Sequence, residues 1–95
     1  MLEREYQSRL VKRLKKEFPG CYVIKNDAQL KQGIPDLLIL FKDKWIALEV
    51  KKSPTAHHQP NQDFHVKRMN KMSYASFIYP ENEDQVIEKM KEVFG

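Results

Sequence analysis

The rhythm of apolar positions changes several times along the chain, and each change marks an element. From Leu2 to Phe18, the residues Tyr6, Leu10, Val11, Leu14 and Phe18 recur at helical spacing until Pro19 and Gly20 break the pattern, which predicts an amphipathic helix. Cys21 to Lys25, CYVIK, is a short, partly β-branched run and predicts a strand, followed by a polar loop over residues 26–33. The runs LLILF and WIALEV, joined by Lys42, Asp43 and Lys44, predict a β-hairpin. Both runs are apolar on nearly every position, so helices are expected to cover both faces of the sheet. A loop, KSPTAHHQP, leads into a second amphipathic helix that starts at Asn61, carries Val66, Met69 and Met72, and ends near Ser73. Tyr74 to Tyr79 predicts a further strand, stopped by Pro80. Asn82 and Gln85 have the form of a cap and its return partner for a last helix through Val86, Ile87, Met90, Val93 and Phe94. The predicted order is α-β-β-β-α-β-α.

The hairpin and its flanks, GIPDLLILFKDKWIALEVK, put chemistry into this pattern. A turn centred between Lys42 and Asp43 sets Asp36 opposite Glu49, and opposed side chains in a ladder lie ~5 Å apart at Cβ. Side chains alternate along a strand, so Lys51 shares the face of Glu49 while Leu48 and Val50 take the other. Two carboxylates and an amine therefore converge. Opposed like charges destabilise a sheet, and a divalent cation would remove that penalty. Mg²⁺ is commonly held by one or two carboxylates with waters and phosphate oxygens, and a lysine beside it suits phosphodiester hydrolysis. On spacing alone, a surface salt bridge at a sheet edge explains the same trio. Gly33 permits positive φ and Pro35 restricts both itself and Ile34, which would hold Asp36 in place.

Two polar residues intrude on the apolar helix stripes. Glu3 falls within ~20° of Leu10 on the first helix, whereas Glu5 falls on the far side with Arg9, Lys12 and Lys16. Gln62 lies one turn before Val66 on the second helix. Each has an ordinary explanation in a first turn, where an acid meets the helix dipole and a glutamine finds backbone or water. Each is equally placed to point a group at the hairpin carboxylates and the same sheet edge.

Composition narrows the partners. Ninety-five residues, 41% hydrophobic and 32% charged, allow one domain, residues 1–95, with one modest core. Such a chain leaves apolar surface for a partner, including a second copy. Lys and Arg exceed Asp and Glu by 17 to 13, a net charge of +4, which favours nucleic acid as a partner. Arg9, Lys12, Arg13 and Lys16, with Lys67, Arg68 and Lys71, could follow a phosphate backbone or form solvated helix faces. Lys52, His57 and His58, beside the carboxylates, join the candidate nucleic-acid contacts. Phe41 and Trp45, flanking the hairpin turn, read as core or dimer contacts rather than base-stacking platforms, and the Met69/Met72 stripe reads as core. Cys21 has no partner for an internal disulfide, and no zinc-ligand spacing occurs. With no apolar run approaching the ~18 residues of a membrane span and no signal-like stretch, an intracellular protein is expected, in the cytoplasm or nucleoid of a host cell.

Gly33-Ile34-Pro35-Asp36, the hairpin and Glu49-Val50-Lys51, followed by a helix opening with Gln62, resemble the PD-(D/E)XK nuclease superfamily. Within it they resemble the small VRR-NUC, or virus-type replication-repair nuclease, domains. Relatives include the archaeal-type Holliday junction resolvases and the nuclease module of the Fanconi-associated nuclease. The resemblance spans about Glu3 to Tyr79. It implies an α/β, restriction-endonuclease-like α-β-β-β-α-β core with a mixed sheet flanked by helices, to which the C-terminal helix is an addition. It implies Asp36, Glu49 and the Val50 carbonyl as ligands of Mg²⁺ or Mn²⁺, and Lys51 as the residue positioning water and substrate. Gln62 supports these, and a first-helix glutamate, Glu3 in preference to Glu5, completes the set. The expected function is a structure-selective DNA endonuclease acting on branched DNA such as Holliday junctions. It would work as a homodimer without a small-molecule cofactor, in repair, recombination or phage replication. The alternatives are a nicking or flap-type nuclease of phage replication and a module that binds DNA structure without cutting.

Overall fold

The computed structural model describes residues 1–27 and 31–95. The elements are α1 (Glu3–Glu17), β1 (Tyr22–Lys25), β2 (Leu37–Phe41), β3 (Lys44–Val50), α2 (Gln62–Met72), β4 (Tyr74–Ile78) and α3 (Glu83–Phe94). The protein is α/β, and its order is the one that the apolar rhythm predicts. The loop expected over residues 26–33 includes residues 28–30, which lie outside the described residues.

One four-stranded mixed sheet, ordered β1-β2-β3-β4, organises the chain. β1, β2 and β3 run antiparallel, and β4 pairs parallel to β3, with α2 as the crossover. The hairpin register pairs Leu37 with Leu48 and Phe41 with Lys44 around a two-residue turn, where Lys42 takes a φ of 58°. Since β2 and β3 are the two central strands, Asp36 and Glu49 sit at one end of the sheet's middle and not at its edge. This corrects the expected position.

The two faces are unequal. On one, Leu37, Ile39, Ile46, Leu48, Val50 and Ile78 pack against Tyr6, Leu10, Leu14 and Phe18 of the α1 segment and against Val86, Ile87, Met90 and Phe94 of α3. The rings of Phe18, Phe41 and Phe94 lie 5.2–5.7 Å apart, tilted or edge-on, in favourable aromatic geometry. A polar clamp ties the two helices together. Glu83 accepts from the Tyr6 hydroxyl at 2.7 Å and from Arg13 at 2.6 Å, and Arg13 also reaches Asp84 at 2.7 Å. Burial and the neighbouring Glu83 push the Tyr6 hydroxyl well above the ordinary phenol range.

The other face is only partly covered. Ala47, Val66 and Ala75 form a small core beneath α2, joined by Trp45, Met69 and Phe77. Beyond it, Tyr22, Ile24, Leu40 and Met72 remain exposed. Full coverage of both faces, and Met72 as core, are therefore corrected: the eleven residues of α2 are too short a cover for four strands. The cap expected at α3 also differs. Asn82 bonds backwards, with Oδ1 accepting the Tyr79 N–H and Nδ2 donating to the Phe77 carbonyl, so its side chain closes the exit from β4 and makes no helix cap. Glu83 and Asp84 place negative charge in the first turn of α3 instead.

Candidate active site

Asp36, Glu49, Lys51 and Gln62 meet on the α2 face of the sheet. Glu49 is the penultimate residue of β3 and Lys51 follows that strand, and both side chains are buried, with 2% and 6% exposed. A surface salt bridge does not describe this pair. Their closest N···O distance is 3.8 Å, a buried ion pair too long to be a hydrogen bond.

Gln62 joins them. As the first residue of α2 it turns its amide back to the sheet: Nε2 donates to Glu49 Oε2 at 3.0 Å, and Oε1 accepts from Lys51 Nζ at 2.8 Å. Oε1 also accepts the Gln59 N–H at 2.8 Å, which locks the amide orientation. The Lys51 ammonium spends a second donor on the His57 carbonyl at 2.9 Å, so the buried cation ties the 52–60 loop over the site. An ammonium has three donors. Among the described residues the third is left for a water or a substrate oxygen.

Asp36 is fixed from three directions. Its Oδ2 accepts the Val50 N–H at 3.0 Å, bridging the start of β2 to the end of β3. The Asn26 backbone N–H donates to the Asp36 carbonyl at 2.8 Å, and Asn26 Nδ2 to the Pro35 carbonyl at 2.6 Å. Gly33, at φ +84°, packs so closely on the residues before α2 that an added Cβ would lie 2.7 Å from Asn61 Cβ. Within an extended strand the N–H and C=O of one residue project to the same side. The Val50 carbonyl therefore lies on the Asp36 side, as the resemblance implies for a ligand.

The electrostatics of Glu49 follow from this crowding. Burial raises its carboxyl far above the ordinary range; the charge and carboxyl contact of Asp36 add to the rise, Lys51 opposes it, and Glu3 adds a little more. Glu49 Oε1 is buried and has no hydrogen-bond partner among the described residues. A buried oxygen without a donor, beside a second carboxylate, is the arrangement a hard cation would relieve. No three Asp, Glu, His or Cys side chains form a cluster fit for a metal among the described residues. A site of two carboxylates and a backbone carbonyl, completed by water and phosphate oxygens, needs none.

Glu3 lies exposed in the first turn of α1, outside the buried stripe, which corrects half of the expectation. Its carboxylate nevertheless accepts the Lys52 N–H at 3.1 Å, one residue beyond Lys51, and so stands at the rim of the site.

No family model matches this chain, and no curated protein matches it.

The basic candidates separate by position. Arg13 is bound into the clamp with Glu83 and Asp84 and braces the fold, so it is withdrawn as a free cation for nucleic acid. Arg9, Lys12 and Lys16 are exposed on α1, and Lys67, Arg68 and Lys71 on α2. Lys52 and His57 are exposed in the loop over the site. His58 stacks on Phe77 with ring centroids 4.3 Å apart, and Nδ1 lies 3.0 Å from Asp63, so it secures that loop to β4 and α2. Sequence reasoning missed Asn26, whose role depends on a carbonyl nine residues away, and Phe64, which is 56% exposed on α2.

Proposed function

We propose that this protein is a Mg²⁺- or Mn²⁺-dependent endodeoxyribonuclease that acts on branched DNA. One observation carries the reading: the buried Glu49 Oε1, without a hydrogen-bond donor among the described residues and beside the carboxylate of Asp36, with a buried Lys51 held between Gln62 and the His57 carbonyl. Burying this many ionisable groups costs stability. A module that only gripped DNA would need none of them, whereas phosphodiester hydrolysis uses each.

Asp36, Glu49 and the Val50 carbonyl would hold the cation, which supplies charge for the phosphate oxygens and acidifies a water. The residues of the chain do the positioning. Gln62 and His57 aim Lys51, whose remaining N–H donor binds a phosphate oxygen or orients the attacking water in a site largely closed to solvent. Gln62 also fixes the Glu49 carboxylate by holding Oε2, which leaves Oε1, without a donor among the described residues, as the oxygen that would serve a cation. Glu3, on the rim, fixes the backbone after Lys51 and adds negative charge near the site. The net charge of +4 favours a polyanionic substrate.

A homodimer belongs to this reading. Tyr22, Ile24, Leu40 and Met72 form an apolar strip at the uncovered side of the sheet, the kind of surface a second copy would cover. Two sites related by a twofold axis would suit paired cuts on a branched substrate. The test is a panel of a four-way junction, a flap and a linear duplex, each with Mg²⁺ or Mn²⁺, comparing wild type with Lys51→Ala. Cutting of a branched substrate by wild type alone supports the proposal; binding without cutting under every metal condition leaves the non-cleaving module.

A further inference from the structure

Phe64 is a large apolar side chain that the site leaves unused. On α2 it lies about 160° around the helix from Gln62, so it faces outwards while Gln62, Val66 and Met69 face the sheet. More than half of its surface is exposed, at 56%. The ring is not left loose: the Arg68 guanidinium sits 6.0 Å from its centroid and the His65 ring packs edge-on at 5.1 Å. Lys67, Arg68 and Lys71 line a shallow hollow with Phe64. A neighbouring groove runs from Phe64 and Arg68 to Ile34 and Lys31. Ile34 is two residues from Asp36, a span of at most ~7 Å of chain. The groove therefore leads from the aromatic ring to the loop that carries the carboxylate.

We infer that Phe64 is a stacking platform for an unpaired base of the DNA, with Lys31, Lys67, Arg68 and Lys71 binding the phosphates on either side, so that the preferred substrate carries unpaired nucleotides beside the cut. An exposed ring set among cations matches the two surfaces of a single strand, the flat base and the charged backbone. A continuous duplex offers only the second, because its base faces are already stacked. A second copy of the chain fits this patch poorly: a symmetric contact centred on Phe64 would bring the Lys67, Arg68 and Lys71 of both copies together. The location of the cut beside this groove rests on the proposed nuclease site; the stacking does not.

The test uses the full chain with Ca²⁺ in place of Mg²⁺, and a forked duplex with 2-aminopurine in its single-stranded arm. Binding should quench the 2-aminopurine emission. Phe64→Ala should abolish the quenching and weaken fork binding roughly 5- to 100-fold, while Phe64→Tyr keeps both. Affinity for a fully paired duplex should be unchanged by Phe64→Ala. Unaltered fork affinity and quenching in Phe64→Ala would overturn the inference, as would a change in that variant from dimer to monomer by light scattering. Absence of cleavage by wild type when Mg²⁺ or Mn²⁺ replaces Ca²⁺, with the quenching pattern intact, would remove the nuclease reading and leave the stacking surface standing.

Discussion

Gly33 lies against Asn61 so closely that a Cβ on Gly33 would meet Asn61 Cβ at 2.7 Å. This contact ties the loop that ends in Asp36 to the residue just before Gln62, and so sets the distance between the two halves of the site. Alanine at this position must adopt a φ of +84°, which costs about 1–2 kcal/mol, and must also push the two segments apart. Gly33→Ala is expected to lower stability by at least that amount and to reduce Mn²⁺ binding, measured by thermal unfolding and by calorimetric titration. Unchanged metal affinity in a folded Gly33→Ala protein would show that the contact does not align the site.

Gln62 offers a second way to loosen the same arrangement. Gln62→Ala leaves the buried Lys51 ammonium without one acceptor and Glu49 Oε2 without its donor, at about 1–3 kcal/mol for each unsatisfied group. Chemical denaturation should show that loss, and cleavage should fall by more than about tenfold because the aim of Lys51 is lost. Activity equal to wild type would reduce Gln62 to a helix-start residue.

The state of Glu49 makes a prediction about pH. Burial and Asp36 raise its carboxyl above the ordinary value of 4.5, so the folded chain holds a proton that the unfolded chain releases. That contribution is present in acid and is lost as pH rises towards the raised value. Metal-free wild type should therefore lose stability relative to Glu49→Gln as pH increases through neutrality. Cation affinity should rise over the same range, since binding requires the ionised carboxylate. Parallel stability curves for the two proteins would contradict the assigned charge state.

Arg13 should behave as a structural residue. Arg13→Ala removes its bonds to Glu83 and Asp84 and is expected to cost about 1–2 kcal/mol, allowing for partial exposure. DNA affinity and its salt dependence should stay at wild-type values, whereas removing Lys67 or Lys71 should reduce both. A shallower salt slope in Arg13→Ala would return it to the nucleic-acid surface.

The uncovered apolar strip predicts self-association. Light scattering at micromolar concentration should give twice the 11.3 kDa chain mass, and Leu40→Glu should halve it. A monomeric wild type would count against paired cutting.

What the sequence disclosed depended on how local each signal was. The hairpin register was readable because two apolar runs and a two-residue turn allow one pairing, and that register placed Asp36 opposite Glu49 on the face of Lys51. Gln62 was readable as a polar residue on an apolar stripe. Glu3 was half readable: helical phase chose it over Glu5, but its place at the first residue of α1 leaves it exposed, with its carboxylate reaching the Lys52 N–H. Asn82 misled because a cap and a strand-closing turn use the same side-chain oxygen, and here Oδ1 accepts the Tyr79 N–H at 2.8 Å. Asn26 and the Gly33–Asn61 contact gave no local sign, since both depend on segments that meet only after the sheet has formed. Met72 continues the apolar stripe on paper, yet α2 ends over the open side of the sheet.

The central claim is a cation held by Asp36 and Glu49 for phosphodiester cleavage. Its most direct test follows cleavage of an end-labelled four-way junction and an end-labelled flap against Mn²⁺ concentration, for wild type, Asp36→Ala and Lys51→Ala. Wild type is expected to release cut product that rises and saturates with Mn²⁺ and disappears with chelator, while each variant loses more than about a hundredfold in rate. Equal cleavage by Asp36→Ala, or no product from wild type at any Mn²⁺ or Mg²⁺ concentration, would contradict it.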